Sequence, residues 1–196
     1  MTFGAMNQKN KLLLLLLFLF TFPTHALESK IELSELLHLF SQQRQSTVDF
    51  KEEKHTSFLE QPIISSGQLQ FIAPDQLFKF ILKPEKISHK ITADELEIKN
   101  KNKTHTINLN DHPEFSVILR SIISVLSGDH AALKKDFKIN FDGNLTSWNL
   151  LLLPHDSFIA DHVESIKFLG NNNKLTEIIV TEPNQDRSVT RIYNHR

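Results

Sequence analysis

"SGQLQFIAPDQLFKFILKPE", residues 66–85, is the stretch whose reading decides the fold. On either side of Pro74-Asp75 apolar and polar residues alternate. Leu69 and Phe71 interleave with Gln68 and Gln70, and Phe78, Phe80 and Leu82 run past Lys79. Alternation with period two is strand patterning, and Pro-Asp between two such runs is a turn signal. The stretch therefore predicts a β-ribbon, with strands over 66–72 and 77–83. Leu69, Phe71, Phe78, Phe80 and Leu82 are expected to share one apolar, buried face.

The same period recurs outward in both directions. Upstream, "STVDFKEEKHTSF" (46–58) sets Val48 and Phe50 against a strongly charged side. Downstream come short alternating runs near 86–92, 95–100 and 103–110. After an interruption they resume at 137–143, 146–154, 163–170, 175–182 and 188–194. Asp142-Gly143, Gly170 to Asn173 and Pro183 to Asp186 punctuate them as hairpin turns. Short strands at this spacing are the mark of an antiparallel sandwich or barrel.

Two stretches keep a helical period instead. Residues 28–43 carry Leu33, Leu36, Leu37 and Phe40 on one side. In the interruption, Phe115, Ile118, Leu119, Ile122, Ile123 and Leu126 form a faithful i, i+3, i+4, i+7 stripe. Asp111 is placed to cap it, Pro113 suits its first turn, and Gly128 ends it. Asp129 is placed to cap a second short helix through Lys135. Helices inserted into a meander must cover one face or one end of the sheet.

The first 26 of 196 residues read as a secretory signal peptide. Lys9 and Lys11 precede an apolar run from Leu12 to Phe20, and Thr24 and Ala26 are the small residues of a cleavage site. That run of roughly nine residues is short of the ~20 that a spanning helix needs. Residues 27–196 are then expected to form one domain. The whole chain has a net charge of −1, and loss of the two lysines leaves about −3. This argues against nucleic acid as a partner and against electrostatic adhesion to anionic lipid. Cysteine is absent, so an exported chain of this kind stands on its core alone and suits a bacterial periplasm. There are 15 Phe against one Tyr and one Trp. A large hydrocarbon interior would select that bias, and so would an AT-rich genome.

No catalytic arrangement emerges. The ten histidines are scattered, without an HxxxH or HExxH pair. No G-x-S-x-G elbow is present, and five glycines leave no phosphate loop. His155, Asp156, Asp161 and His162 read as a turn decorated with polar residues. The expectation is a protein that is not an enzyme and needs no metal and no cofactor.

The order of these segments resembles the LolA-like proteins, periplasmic carriers of outer-membrane lipoproteins, and in particular their LolA-related branch. "SSGQLQFIAPDQLFKF" (65–80), "VLSGDHAALKKDF" (125–137) and "WNLLLLPHD" (148–156) carry the likeness, which spans about 28 to 193. The resemblance implies a mainly β fold with α: an incompletely closed antiparallel β-barrel, with helices covering the open end over a hydrophobic cavity for acyl chains. It places Phe50, Leu69, Phe71, Phe78, Phe80, Leu82, Trp148, Leu150 and Leu152 in that cavity, and Phe115, Ile118, Leu119, Ile122 and Ile123 in its lid. The cavity is expected to lack polar selectors. The cargo implied is an acylated lipoprotein or another lipid, handed from an inner-membrane exporter to an outer-membrane acceptor by a monomer. The branch is also associated with envelope-lipid and aryl-polyene systems, which implies a glycolipid or polyene lipid as alternative cargo. A non-carrier role in envelope assembly is a further alternative. In the general carrier an arginine just before the proline of the strand turn hydrogen-bonds the lid. Here that position is Ala73, so its latch does not transfer.

Overall fold

The structure, a computed structural model, describes Met1 and residues 30–194, so the expected signal peptide lies outside the described residues. Eleven antiparallel strands form one sheet. They are β1 (Gln45–His55), β2 (Ile63–Ile72), β3 (Gln76–Lys83), β4 (Ile87–Ile91), β5 (Glu95–Lys99), β6 (Thr104–Asn108), β7 (Phe137–Gly143), β8 (Trp148–Pro154), β9 (Ser165–Asn171), β10 (Lys174–Thr181) and β11 (Arg187–Asn194). The sheet runs β6-β5-β4-β3-β2-β1-β11-β10-β9-β8-β7, with β6 and β7 as edges that do not pair with one another. The chain returns on itself through β1, which pairs with β2 on one side and β11 on the other. The helices are α1 (Leu33–Ser41), α2 (Pro113–Ser127), α3 (His130–Asp136) and the single turn α4 (Ser157–Ala160). Both α2 and α3 lie in the segment that joins one sheet edge to the other. The antiparallel meander with inserted helices is as the residue pattern predicts, and its incomplete closure is as the resemblance implies. The first helix is shorter than 28–43, and β1 ends before Phe58.

Register settles which side chains face the helices. The β2–β3 ladder closes at Ile72 and Gln76, leaving three residues, 73–75, in the turn. An odd-numbered loop joins positions of like parity, so Phe71 pairs with Leu77 and Leu69 with Lys79. Phe78 and Phe80 instead pair with Gln70 and Gln68 on the outer face. The expectation of one shared face for Leu69, Phe71, Phe78, Phe80 and Leu82 is therefore corrected. It would need a loop with an even number of residues, and a slip of one residue exchanges the two faces of a strand. Phe78 and Phe80 stack on each other outside, ring centroids 6.1 Å apart. Leu82 falls in the bulge between the Gly67–Ile81 and Ser66–Lys83 pairs and is exposed.

The inner face is filled unevenly. Over β7 to β10, α1 inserts Leu33, Leu36, Leu37 and Phe40 against Trp148, Leu150, Leu152, Ile166 and Phe168. Phe40 meets the Trp148 ring edge-on at 5.9 Å, and the indole Nε1 donates to the Asn172 carbonyl at 2.8 Å. The indole lies over Gly170, where an added Cβ would sit 2.2 Å from Trp148 Cζ2. A second, smaller cluster joins Phe71, Leu77, Ile91 and Leu109 to Ile123 of α2.

The start of α2 departs from the expected cap. Leu109 is fully buried, and a 3-10 turn over Leu109–Asp111 delivers it there. Asp111 thereby falls inside that turn, and His112 occupies the N-cap without a side-chain hydrogen bond. At the other end Gly128 takes a left-handed φ of 76°, its N–H reaching the Ser124 and Val125 carbonyls. Gly128 also lets α1 approach, since a Cβ there would lie 2.4 Å from the Leu37 carbonyl oxygen. Asp129 caps α3 as expected, accepting from the Ala132 N–H at 2.9 Å.

Gly170→Ala should push the indole out of its seat and lower stability by about 1–3 kcal/mol, the usual range for overpacking. Urea unfolding checks the magnitude. The emission of Trp148, the single tryptophan, should shift to the red in the folded variant.

Candidate functional site

Where α1 ends, the inner face is no longer filled. Over β1 to β4 and β10 to β11 the cover is α2, whose amphipathic stripe faces the strands across a gap. Phe115, Ile118, Leu119, Ile122 and Leu126 descend from the helix, and Val48, Leu69, Phe71, Leu77, Ile178 and Ile192 rise from the sheet. They enclose a cavity of about 410 Å³, within the ~300–1,000 Å³ range of small-molecule sites. Phe40 bounds it on the packed side. A shallower depression of about 550 Å³ adjoins it, sharing Phe115, Ile118, Val180 and Glu182. Phe115 stands at that junction and is 56% exposed, which marks it as the rim of the opening.

The expected cavity residues divide. Leu69 and Phe71 line the cavity. Phe50 faces inward and is buried. Trp148, Leu150 and Leu152 face inward too, yet α1 packs them into solid core, so they are not cavity wall. Phe78, Phe80 and Leu82 are outside it altogether, for the reason of parity given above. Of the expected lid, Phe115, Ile118, Leu119 and Ile122 line the cavity, while Ile123 turns into the second cluster and seals that end. Leu77, Ile91 and Leu126 are lining residues that sequence reasoning missed. The signal for Leu77 and Ile91 was the turn length between β2 and β3. Ala73 packs against the second cluster, as do Leu119, Ile122 and Leu126 of α2.

The cavity also holds charge, contrary to the expectation of a wall without polar selectors. The Lys79 ammonium pairs with the Glu52 carboxylate, and both side chains are only about one-fifth exposed, at 21% and 20%. Thr190 Oγ1 donates to the same carboxylate oxygen at 3.2 Å. Lys79 Nζ also lies 5.1 Å from the centre of the Phe50 ring, a cation–π distance. The ammonium reaches Glu52 diagonally across β2, and Gly67 stands between Phe50 and Ile81 on that strand. A Cβ at Gly67 would collide with the Phe80 carbonyl oxygen at 1.8 Å, so the two backbones come together there as only glycine permits. Lys54 and Glu182 form a looser pair at 4.0 Å farther along. His89 stands opposite Lys79 in the ladder. Burial pushes its imidazole below the usual value, Lys79 adds to the effect, and Glu52 opposes it.

No group of three His, Asp or Glu side chains among the described residues could hold a metal ion. Asp156 caps α4 through the Ile159 N–H at 3.1 Å, and the His162 imidazole lies 2.9 Å from the Phe158 carbonyl. The polar turn at 155–162 thus has local structural partners. No helix among the described residues is long and apolar enough to cross a membrane.

Residues 25–192 match the family described as outer membrane lipoprotein carrier protein LolA-like. The chain belongs to that family. Solved structures similar to this LolA-like chain include a LolA superfamily protein from Nitrosomonas europaea, at 10% identity and a TM-score of 0.45, covering 85% of this chain and 94% of that one. The MucA/MucB complex of Pseudomonas aeruginosa matches at 9% identity and 0.47, covering 84% and 56%. A DUF1329 family protein from Desulfovibrio piger matches at 9% and 0.46, covering 83% and 89%. No curated protein matches the sequence.

His89 gives a pH prediction. Its folded-state affinity for a proton lies below the ordinary value of 6.5, so on acidification the unfolded chain takes up that proton first. His89 therefore costs nothing at alkaline pH and lowers stability as pH falls below about 6.5. His89→Asn should flatten the loss of stability between about pH 7 and pH 5, measured by urea unfolding across that range. An unchanged slope would show that other groups set it.

Proposed function

We propose that this protein is a periplasmic carrier that holds the acyl chains of a lipoprotein or a related amphiphile during transfer to the outer membrane. One observation carries the reading. Half of the inner face is packed solid by α1, while the other half is left as a cavity walled by Leu, Ile, Val and Phe under an amphipathic helix. Membership of the LolA-like family supports it. The N-terminal "KNKLLLLLLFLFTFPTHA" supports export and the periplasmic setting. The role is one of binding, without catalysis.

The energetics fit such a role. Each buried methylene contributes roughly 0.8 kcal/mol, and a bilayer offers the same gain as a protein cavity. A carrier must stay near neutral with respect to the membrane. Partners at each end, an inner-membrane exporter and an outer-membrane acceptor, then set the direction of transfer. The apolar part of the wall under α2, made of Leu, Ile, Val and Phe, suits that neutrality.

The test is direct. Protein purified from its host should carry an acylated amphiphile detectable by lipid mass spectrometry. In vitro it should bind a hydrocarbon fluorophore such as diphenylhexatriene. Leu69 lines the cavity and belongs to neither packed cluster. Leu69→Trp should therefore occlude the cavity and weaken fluorophore binding by about tenfold or more, with the melting temperature held or raised. Wild-type protein with neither a co-purified amphiphile nor fluorophore binding would overturn the reading.

A further inference from the structure

On β1, β3 and β11 the cavity-facing residues change from apolar to polar toward one end, while β10 keeps Ile178 and Val180 there, and Gln43, Ser46, Asn173 and Lys174 add polar groups elsewhere on the wall. On β1 the inward residues pass from Val48 and Phe50 to Glu52 and Lys54. Its neighbour β11 passes from Ile192 to Thr190 and Ser188, paired with Phe50, Glu52 and Lys54 in turn. On β3 Leu77 gives way to Lys79. The sealed end, with Phe71 and Leu77 against Ile123, is mainly hydrocarbon with Ser46 beside Phe71, and the far end sets Glu52, Lys54, Thr190 and Ser188 beside Ile178 and Val180 of β10. A cavity graded in this way has the polarity of an amphiphile.

The Glu52–Lys79 pair is not explained by stability. An ion pair drawn into an apolar wall loses hydration that its attraction barely restores, and apolar residues of the same volume would serve the fold at least as well. Its hydrogen-bonding capacity is also not exhausted. An ammonium carries three N–H donors, and the Glu52 contact uses one. The carboxylate is bound through Oε2 in both contacts, which leaves the acceptor capacity of Oε1 outside them. The charges at this end balance, Lys79 and Lys54 against Glu52 and Glu182. An added ionic group would have to break an existing pair or go uncompensated.

Resting on the carrier reading, we propose that Lys79, Glu52 and Thr190 form a head-group site for the uncharged polar end of an acyl ligand. An ester or amide carbonyl would accept from Lys79, and a neighbouring hydroxyl would donate to Glu52. The ligand class is an acylglycerol-type end, with the acyl tail running beneath α2 toward Phe71 and Leu77. A free fatty-acid anion is disfavoured, because its carboxylate would compete with Glu52 for the same ammonium.

Three probes of the cavity test this in the full mature chain: diphenylhexatriene as pure hydrocarbon, monopalmitoylglycerol, and palmitate at alkaline pH. Wild type should prefer the monoacylglycerol over the anion by about tenfold, the scale of one hydrogen bond to a charged group. Lys79→Met should weaken binding of monopalmitoylglycerol about tenfold more than that of diphenylhexatriene, while Glu52, left uncompensated, keeps palmitate excluded. Glu52→Gln frees the ammonium and should turn the preference toward palmitate. Thermal unfolding of each variant separates loss of fold from loss of recognition. If wild type binds the fluorophore but treats the two lipids alike, or Glu52→Gln leaves their ratio unchanged, the head-group site is overturned and the carrier reading stands. Equal weakening of all three probes by Lys79→Met, with a lowered melting temperature, would likewise overturn it by showing a structural pair. If no probe binds wild type, the carrier reading itself fails.

Discussion

The inner face of an eleven-stranded sheet offers more apolar surface than the helices joined to it can fill. In this chain α1 is committed to β7 through β10, where Phe40 meets Trp148 edge-on and Leu36 and Leu37 are wholly buried. Protein interiors tolerate few voids larger than a water molecule, and that half obeys the rule. Once α1 is fixed there, α2 alone covers the rest, and a helix one turn wide cannot reach every strand beneath it. The cavity follows from this unequal allocation. Phe40 belongs to both regions, with one edge in the core and another on the void.

Much of this is written in local periodicity. The stripe from Phe115 to Leu126 predicts α2, and the alternating runs predict most of the strands and hence the antiparallel meander. The faces of β3 were harder, for a definite reason. Leu77, Phe78, Phe80, Ile81 and Leu82 are apolar on both sides of the strand, so between its polar ends only Lys79 labels a side. Lys79 points inward because Glu52 lies across the sheet to receive it, and pairing over that separation leaves no trace in local pattern. The fate of Trp148, Leu150 and Leu152 was hidden similarly. Their alternation shows that they face inward, while only the docking of α1 determines that they meet protein and not a void. Asp111 lost its expected cap role because burial of Leu109 tightened the preceding turn.

The two halves of the inner face also differ in how they treat polarity. In the packed half the indole N–H of Trp148 is satisfied by a backbone carbonyl at a hairpin, so no side-chain charge is needed. In the hollow half charge is placed on the wall itself and held by partners from β1, β3 and β11. Gly67 makes this geometry possible by keeping the lane between Lys79 and Glu52 clear and letting β2 and β3 approach closely. One glycine thus links the backbone register of a bulge to the chemistry of the cavity wall.

The seam between β6 and β7 has its own consequence. In a closed barrel, strand number and stagger fix the diameter through an unbroken ring of hydrogen bonds. Here the ring is open, and the segment bridging the gap is the one that contains α2. The girth of the container is therefore set by side-chain packing and not by a closed ring of backbone ladders. The segment that roofs the hollow half is thus also the one that spans its seam.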